Sequence, residues 1–215
     1  MLLLVLAAFN PSCSNNSELA RVKAEAKRGN PEAQFQLGAY YHDGLDVTRD
    51  YEAAAAWFGR AARQGYPAAQ LALGTMLLNA EGMLPDEAEA ANWIRKAAEQ
   101  GYPPAQDELA TLYAEGIGVM QDDAAAVSWA TKAAEQGLPE AQYHLGSFLA
   151  SGAPGGAVPP DKIASACFWL ALAAADGHQE SQELLNTLKR QLTQAQLNEL
   201  TNRTRLWRQK HPSQE

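Results

Sequence analysis

Histidines and carboxylates are the residues of this 215-residue chain that could do chemistry, and their spacing is not that of a catalytic centre. The chain contains none of the motifs H-E-x-x-H, G-x-S-x-G, P-loop or C-x-x-C, which bind zinc, activate a serine, hold phosphates or exchange disulfides. Metal binding would need two or three ligands at matching spacing. The histidines share no such spacing: His42, His144, His178 and His211. We therefore expect no catalytic residue, no metal and no cofactor.

Two further residue types could carry chemistry, and both are better explained by structure. Asp122 and Asp123 are adjacent carboxylates at the start of a predicted helix, where a cap explains them better than a general-acid pair. Of the two cysteines, Cys167 lies two residues before Trp169 in a predicted helix and is expected to be small and buried. Two cysteines cannot form a disulfide framework.

A period of 36 residues organises the elements that would position any site. Tryptophan recurs at Trp57, Trp93 and Trp129, and the alanines that open each unit are Ala33, Ala69, Ala105 and Ala141. Such a period indicates stacked supersecondary units whose apolar faces are buried only by their neighbours. The sequence therefore predicts a repeat protein, and its function is expected to lie on a surface.

Each unit is predicted to hold two helices. A leucine and an apolar pair at offsets of 4, 7 and 8 from the opening alanine mark one face of a first helix. We expect a glycine to stop it (Gly44, Gly82, Gly116, Gly152), an aspartate to open the second helix (Asp50, Asp86, Asp122, Asp161), and another glycine to end that helix (Gly65, Gly101, Gly137, Gly177). The glycines kept inside the first helices (Gly38, Gly74, Gly146) predict close packing against a tryptophan of the neighbouring helix. The tryptophans are interpreted as core residues.

The pattern A-x-x-x-L-G-x-x-Y-x-x-G, followed by D, W, A-A and G, resembles the Sel-1-like repeat, a relative of the tetratricopeptide repeat. The resemblance implies an all-α, right-handed α-solenoid of stacked antiparallel helix pairs with N- and C-terminal capping helices. It covers residues 17–181, with a capping helix at 17–28 and repeats at about 33–68, 69–104, 105–140 and 141–180. Residues 182–215 are predicted to form a helical cap. Departures from the pattern are Asp107, where other units are apolar, and a four-residue insertion within 153–160.

The N-terminal segment allows three interpretations. Residues 1–9 are entirely apolar, too short to span a bilayer but long enough for the apolar region of an export signal. Cys13, followed by serine and asparagine, resembles the acylated cysteine of a bacterial lipoprotein, although no basic residue precedes the apolar run. Residues 1–16 are therefore expected to be a signal segment and tether, with lipidation at Cys13, the periplasm as location and the outer membrane as anchor site. Export without lipidation and a cytoplasmic protein are the alternatives.

Partner binding is expected on the first helices, which line the concave side in this architecture. Positions outside their packing stripe lie at offsets of 3, 6 and 10 from each opening alanine. They are Gln36, Ala39, Asp43, Ala72, Thr75, Asn79, Glu108, Thr111, Glu115, His144, Ser147 and Ser151. The net charge of −8 disfavours nucleic acid, because phosphate contacts need clustered lysine or arginine.

The expected function is that of a non-enzymatic interaction module, anchored in the envelope and a monomer when free, whose concave face binds a protein or peptide. The resemblance also implies a narrower alternative, since some Sel-1-like lipoproteins are periplasmic immunity proteins that block secreted phospholipase-type toxins. A hydrolase acting on the cell wall or on β-lactams is a further alternative. The sequence names no partner, because a solenoid surface carries no motif tied to one ligand class.

Overall fold

A computed structural model describes residues 15–151 and 158–211 of the chain. Every element in this part of the chain is an α-helix. The helices are α1 (Asn15–Lys27), α2 (Pro31–Asp43), α3 (Tyr51–Arg63), α4 (Pro67–Asn79), α5 (Glu87–Glu99), α6 (Pro103–Glu115), α7 (Asp123–Glu135), α8 (Pro139–Ser151), α9 (Pro160–Ala175), α10 (Gln179–Lys189) and α11 (Gln194–Lys210). From α1 to α10 each helix packs mainly on its neighbours in the chain, and α11 packs on α9, so the molecule is an α-solenoid.

Aspartates open the second helices of the first three units, as predicted. The Asp50, Asp86 and Asp122 carboxylates each accept a hydrogen bond at 2.9 Å from the backbone N–H three residues later. The prediction was wrong for the fourth unit: α9 begins at Pro160, and Asp161 lies in its first turn without capping it. Proline fixes φ near the helical value and has no N–H to satisfy, so α9 begins without an aspartate cap.

In the first three units, the loops between first and second helices contain two left-handed positions, not one. Gly44, Ala80 and Gly116 take the first as helix C-caps, so Gly82 does not stop α4 as predicted. Gly82 has φ of 69° at the second position, and a Cβ there would clash with the backbone of Tyr51. Glycine is therefore required at position 82 by a close approach to α3. The predicted stop at Gly152 lies outside the described residues.

The glycines that end the second helices behave as the sequence predicts. Their φ values lie between 85° and 92°, in the left-handed region. They are Gly65, Gly101, Gly137 and Gly177.

Glycines inside the first helices make close helix contacts, but the partner is not tryptophan. A Cβ on Gly38 would lie 2.6 Å from Phe58, and one on Gly74 would lie 2.6 Å from Ile94. Gly146 faces Leu170 in the same way. In these three units the large residue directly follows the tryptophan, because the face that meets the first helix is turned about 100° from the tryptophan.

Unit three shows the complementary solution. Its first helix carries Ala110, and Ala130 takes the place that Phe58, Ile94 and Leu170 occupy in the other units. Both alanines are fully buried in one cluster with Leu145. A small residue opposite the first helix therefore permits alanine where a large one requires glycine.

The tryptophans are half-buried and pack at the edges of the unit cores. The side chain three residues later lies over each indole: Arg60 over Trp57 at 4.2 Å, Lys96 over Trp93 at 4.1 Å and Lys132 over Trp129 at 3.6 Å. These are cation–π distances. In unit four, Trp207 of α11 covers Trp169 instead, with the rings 5.3 Å apart and edge to face.

Caps close both ends of the solenoid. Leu19, Val22 and Ala26 of α1 pack on α2. At the other end α9, α10 and α11 share a cluster that buries Cys167, as expected, and burial raises the pKa of this thiol. Leu206 of α11 lies outside this cluster and is 43% exposed. No helix in the described ranges is both long and apolar enough to cross a membrane.

Candidate binding surface

The first helices lie on the inner side of the curved stack. Helix α4 contacts α6, and α6 contacts α8, in addition to the contacts within each pair. Contacts of that extent are not found between successive second helices of the described chain. Helices that meet their counterparts across one intervening helix line the tighter side of a curved stack, so α4, α6 and α8 line the concave face. Helix α2 is the first helix of unit one and is their equivalent in the repeat.

Ten of the twelve predicted binding residues are at least partly accessible on this face. Asn79, Glu115 and Ser151 are exposed, and the remaining seven are half-buried: Gln36, Asp43, Thr75, Glu108, Thr111, His144 and Ser147. Two predictions were wrong, because Ala39 is 5% and Ala72 is 2% exposed. Both alanines belong to the core cluster formed by α2, α3, α4 and α5, so neither can contact a partner.

Asp107 and His144 form a pair that links units three and four. The Nδ1 atom of His144 lies 3.0 Å from both carboxylate oxygens of Asp107. Asp107 is 7% exposed, and it occupies the position where the other units carry Phe35, Leu71 or Tyr143. A carboxylate buried to this extent needs a charged or hydrogen-bonding partner, and His144 provides one.

A wider acid–histidine cluster surrounds this pair. Glu140 lies 3.8 Å from His144 and 3.1 Å from His178, so it connects two histidines of different elements. The ring of His178 stacks on Tyr143 with centroids 4.7 Å apart. We call Asp107, Glu108, Glu140, His144 and His178 the acid–histidine cluster. It lies where α6, α8 and the start of α10 meet.

The cluster shifts the protonation of two of its members. Burial lowers the pKa of His144, but the hydrogen bond and charge of Asp107, together with the charges of Glu140 and Glu108, outweigh it and raise the pKa overall. Burial is also the main cause of a raised pKa at Glu108, and the charge of Asp107 adds to it. His144 therefore stays protonated to higher pH than a free histidine would.

Ser181, His178 and Glu140 have the composition of a hydrolytic triad. Ser181 Oγ lies 3.0 Å from His178 Nδ1, and His178 Nε2 lies 3.1 Å from Glu140. However, Ser181 is completely buried, and its backbone N–H also donates to the same Nδ1 atom. His178 is the N-cap of α10, so this group closes a helix end and presents no nucleophile to a substrate.

A second polar group lies on the same face in unit one. His42 lies 2.7 Å from Asp43 and 3.1 Å from Glu81 of the next unit, and its ring meets the edge of Tyr51. Sequence reasoning missed His42, since it lies at an offset not counted as concave. Both histidine contacts cross from one unit to the next, at separations of 37 and 39 residues, so the period plus a few residues is the signal that could have found them.

Metal binding has no visible site in the part of the chain that the structure describes. No group of three or more histidine, cysteine, aspartate or glutamate side chains there is arranged to hold a metal ion. The acid–histidine cluster is built of ion pairs and ring stacking, which suit recognition of polar and basic groups.

Solved structures similar to this chain are repeat proteins of the same kind. A Sel1 repeat protein from Oxalobacter formigenes is 37% identical, with a TM-score of 0.67, over 79% of this chain and 48% of that one. The antigen c5321 of uropathogenic Escherichia coli, which has an SLR fold, is 35% identical with a TM-score of 0.74. That match covers 87% of this chain and 40% of the antigen, so this chain spans less than half the length of both relatives.

A more distant structure shares the fold alone. The immunity protein Pa5087 from Pseudomonas aeruginosa is 21% identical with a TM-score of 0.53, over 76% of this chain and 59% of that one. No significant match was found among the curated proteins. The Sel1 repeat itself matches residues 31–66, 67–102, 103–138 and 139–178, each beginning two residues before the opening alanine of a unit. With the Sel1 repeat over more than half of its length, the chain belongs to the Sel1 repeat family.

Proposed function

We propose that this protein is a non-enzymatic interaction module that binds a protein or peptide on its concave face. The observation that carries the proposal is the surface of the first helices, which offers varied polar and acidic side chains that are at least partly accessible. The exposed residues Asn79, Glu115 and Ser151 lie at equivalent positions of three units, so they form a row along the concave face. Sel1 repeat proteins are in general scaffolds and not enzymes, which agrees with this function.

The charge of the face indicates the kind of partner. Glu108, Glu115 and the acid–histidine cluster place carboxylates along α6 and α8, and the chain as a whole carries a net charge of −8. Complementary charge speeds encounter and excludes partners of the same sign. The proposed partner is therefore a segment whose lysine or arginine side chains contact the concave face.

The cellular setting is part of the proposal. The apolar residues 1–9 and the following Cys13 support export and a lipid anchor at that cysteine. Both lie outside the described residues. We propose that the solenoid is held at the periplasmic side of the outer membrane, where its concave face meets envelope or secreted proteins.

A matched pair of variants tests the concave face. The concave-face variant carries Asn79→Arg, Glu115→Arg and Ser151→Arg, all at exposed positions of first helices. The control variant carries Asn92→Arg, Glu99→Arg and Ser128→Arg at exposed positions of second helices, so both gain the same charge. Crosslinking in native envelopes followed by mass spectrometry would compare the proteins captured by each.

We expect one protein to be captured by the wild type and by the control variant but not by the concave-face variant. Equal capture by both variants would move the contact away from the concave face. If Cys13→Ala leaves the protein in the membrane fraction, the lipid anchor is wrong while the binding function still stands.

A narrower form of the function is immunity to a toxin. The fold is shared with the immunity protein Pa5087, and the N-terminal segment suits a periplasmic protein. We propose that the captured partner is then a secreted phospholipase-type enzyme. Purified protein added at equal concentration should suppress the lipase activity of that partner, and unchanged activity would leave only the general binding function.

A further inference from the structure

A ladder of buried glutamines runs along the edge where second helices turn into first helices. The residue directly after each opening alanine is a glutamine that is at most 5% exposed: Gln34, Gln70, Gln106 and Gln142. Each side-chain Nε2 donates to a carbonyl oxygen at the end of the preceding second helix, at 3.1 to 3.3 Å. The ladder therefore ties each first helix to the helix before it.

The side-chain oxygen of each ladder glutamine needs a donor, and three units supply it with another glutamine. Gln64, Gln100 and Gln136 donate through Nε2 to the ladder glutamine of the same unit at 2.7 to 2.8 Å. The Nε2 atom of Gln136 also lies 3.2 Å from the Gly101 oxygen and 3.4 Å from the Lys132 oxygen. A primary amide thus sits among three acceptors in unit three.

Unit four lacks this amide. Asp176 occupies the position of Gln136, and its carboxylate accepts a hydrogen bond from Arg208 of α11 at 3.1 Å. An ionised carboxylate has no hydrogen to donate. The Oε1 atom of Gln142 consequently has no hydrogen-bond partner, although Gln142 is only 1% exposed. An unpaired buried acceptor is rare in native proteins and calls for a donor.

A groove of about 740 Å³ lies at this place, between the turn joining α7 to α8 and the end of α11. Gln142 and Asp176 line it together with Gly137 and Leu172. Gly137 and Leu172 are the unit-four equivalents of Gly101 and Lys132, whose carbonyl oxygens accept from Gln136. The groove therefore contains the counterparts of all three acceptors that hold a primary amide in unit three.

We propose that this groove binds the primary carboxamide of a glutamine or asparagine side chain presented by a partner polypeptide. The amide N–H groups donate to Gln142 Oε1 and to a backbone carbonyl, and the amide oxygen accepts from Arg208. Pro104, Leu138 and Trp207 also line the groove and pack against the aliphatic stem. The site lies outside the concave face and does not depend on the function proposed for it.

A neutral ligand fits this groove better than a cation. Asp176 is already paired with Arg208, so the two charges offset each other. A lysine ammonium placed beside Gln142 would face the Arg208 guanidinium at close range, which is unfavourable. The carboxamide supplies the donor without adding charge.

The test uses the full-length protein labelled with ¹⁵N and titrated with propionamide, with propylammonium as the cation of similar size. We expect propionamide to shift the side-chain amide signals of Gln142 and the indole signal of Trp207 in a saturable way. Propylammonium is expected to bind at least about tenfold more weakly, because its charge is repelled by Arg208. The expected cost is about the free energy of one hydrogen bond to a charged group.

Two variants at α9 make the test specific. In Asp176→Gln the chain supplies its own amide, as Gln136 does in unit three, so propionamide affinity should fall about tenfold or more. Asp161→Gln makes the same chemical change in the first turn of α9, away from the groove, and should bind as the wild type does. Gln142→Met removes the acceptor at similar volume and should also abolish binding.

Several results would overturn the proposal. These are no saturable shift with propionamide, tighter binding of propylammonium, or full affinity in both Asp176→Gln and Gln142→Met. A high-resolution crystal structure soaked with propionamide in which a water alone remains bound to Gln142 Oε1 would show that a trapped water completes the ladder. That result would also remove the site.

Discussion

At the scale of single residues, Asp107 shows how one substitution inside a repeat creates a polar site. The same position holds Phe35, Leu71 and Tyr143 in the other units, where it packs between helices. In unit three the carboxylate is nearly buried and draws His144 of the next unit to 3.0 Å. The departure was visible in the sequence, but its partner was not, since the two residues lie in different units.

Replacing Asp107 with asparagine should lower the pKa of His144. Asp107 supplies both the hydrogen bond and the largest charge that raise this pKa against the effect of burial. An NMR titration of the His144 ring in wild type and Asp107→Asn measures the change directly. An unchanged pKa would mean that the charges of Glu140 and Glu108 are enough to keep the pKa of His144 raised.

The same pair should make stability depend on pH in a defined direction. Because the pKa of His144 is raised in the folded state, its contribution is fully present below about pH 6.5, the value in an unfolded chain. It is lost as pH rises through the folded-state pKa. The loss of unfolding free energy in Asp107→Asn should therefore be larger near pH 5.5 than near pH 9. Urea unfolding at both pH values checks this, and an equal loss at both would contradict it.

Gln100→Asp should destabilise the solenoid by about 1–3 kcal/mol, because it leaves the buried Oε1 atom of Gln70 without a donor. The neighbouring change Glu99→Asp, at an exposed position outside the ladder, is the control and should cost little. Urea denaturation of the two variants gives the comparison. Equal small losses would show that water replaces the missing amide.

At the scale of helices, the pairing of small and large residues sets how closely each pair packs. Gly74 faces Ile94, whereas Ala110 faces Ala130, so the first helix carries the smaller residue where the facing residue is large. The sequence predicted the helices, their capping aspartates in three units and the need for close approach. It did not identify the facing residue, because a conspicuous tryptophan lies one position away on a different face.

Gly74→Ala should cost about 1–3 kcal/mol, since the added Cβ would lie 2.6 Å from Ile94 and 3.0 Å from the Ala90 oxygen. In an Ile94→Ala background the same change should become neutral or stabilising by up to about 1 kcal/mol, because alanine favours a helix over glycine. Thermal unfolding of the four proteins forms a double-mutant cycle. Additive effects would show that Ile94 is not what requires glycine.

At the scale of the whole molecule, stability is a sum of contacts between neighbours along one axis. The sequence predicted this architecture, since it follows from the period. It could not predict that Ala39 and Ala72 are buried, nor which residues of adjacent units meet, because these depend on how far one unit is rotated against the next. The acid–histidine cluster and the groove at α11 are products of that rotation.

Trp207→Ala should loosen the C-terminal end and leave the N-terminal end unchanged. Trp207 packs edge to face on Phe168 and Trp169, and α11 packs mainly on α9. The loss should be about 3 kcal/mol and confined to the last unit. Hydrogen exchange should accelerate in α9 to α11 but not in α2 to α5, with Leu206→Ala as the exposed control. Faster exchange throughout would show that the chain unfolds as one unit.

The two edges of the stack have a mechanical consequence. Along one edge Gly82 and Gly118 press loops onto the neighbouring helix starts, and along the other the glutamine ladder crosslinks successive helices. Contacts along both edges should stiffen the stack against bending. The contacts between paired glutamines end at unit three, because the Oε1 atom of Gln142 has no hydrogen-bond partner, so we expect the last unit to resist bending least. When the solenoid is under load, its curvature should change first in unit four. A donor bound to Gln142 would stiffen the contact between α8 and α9 in that unit.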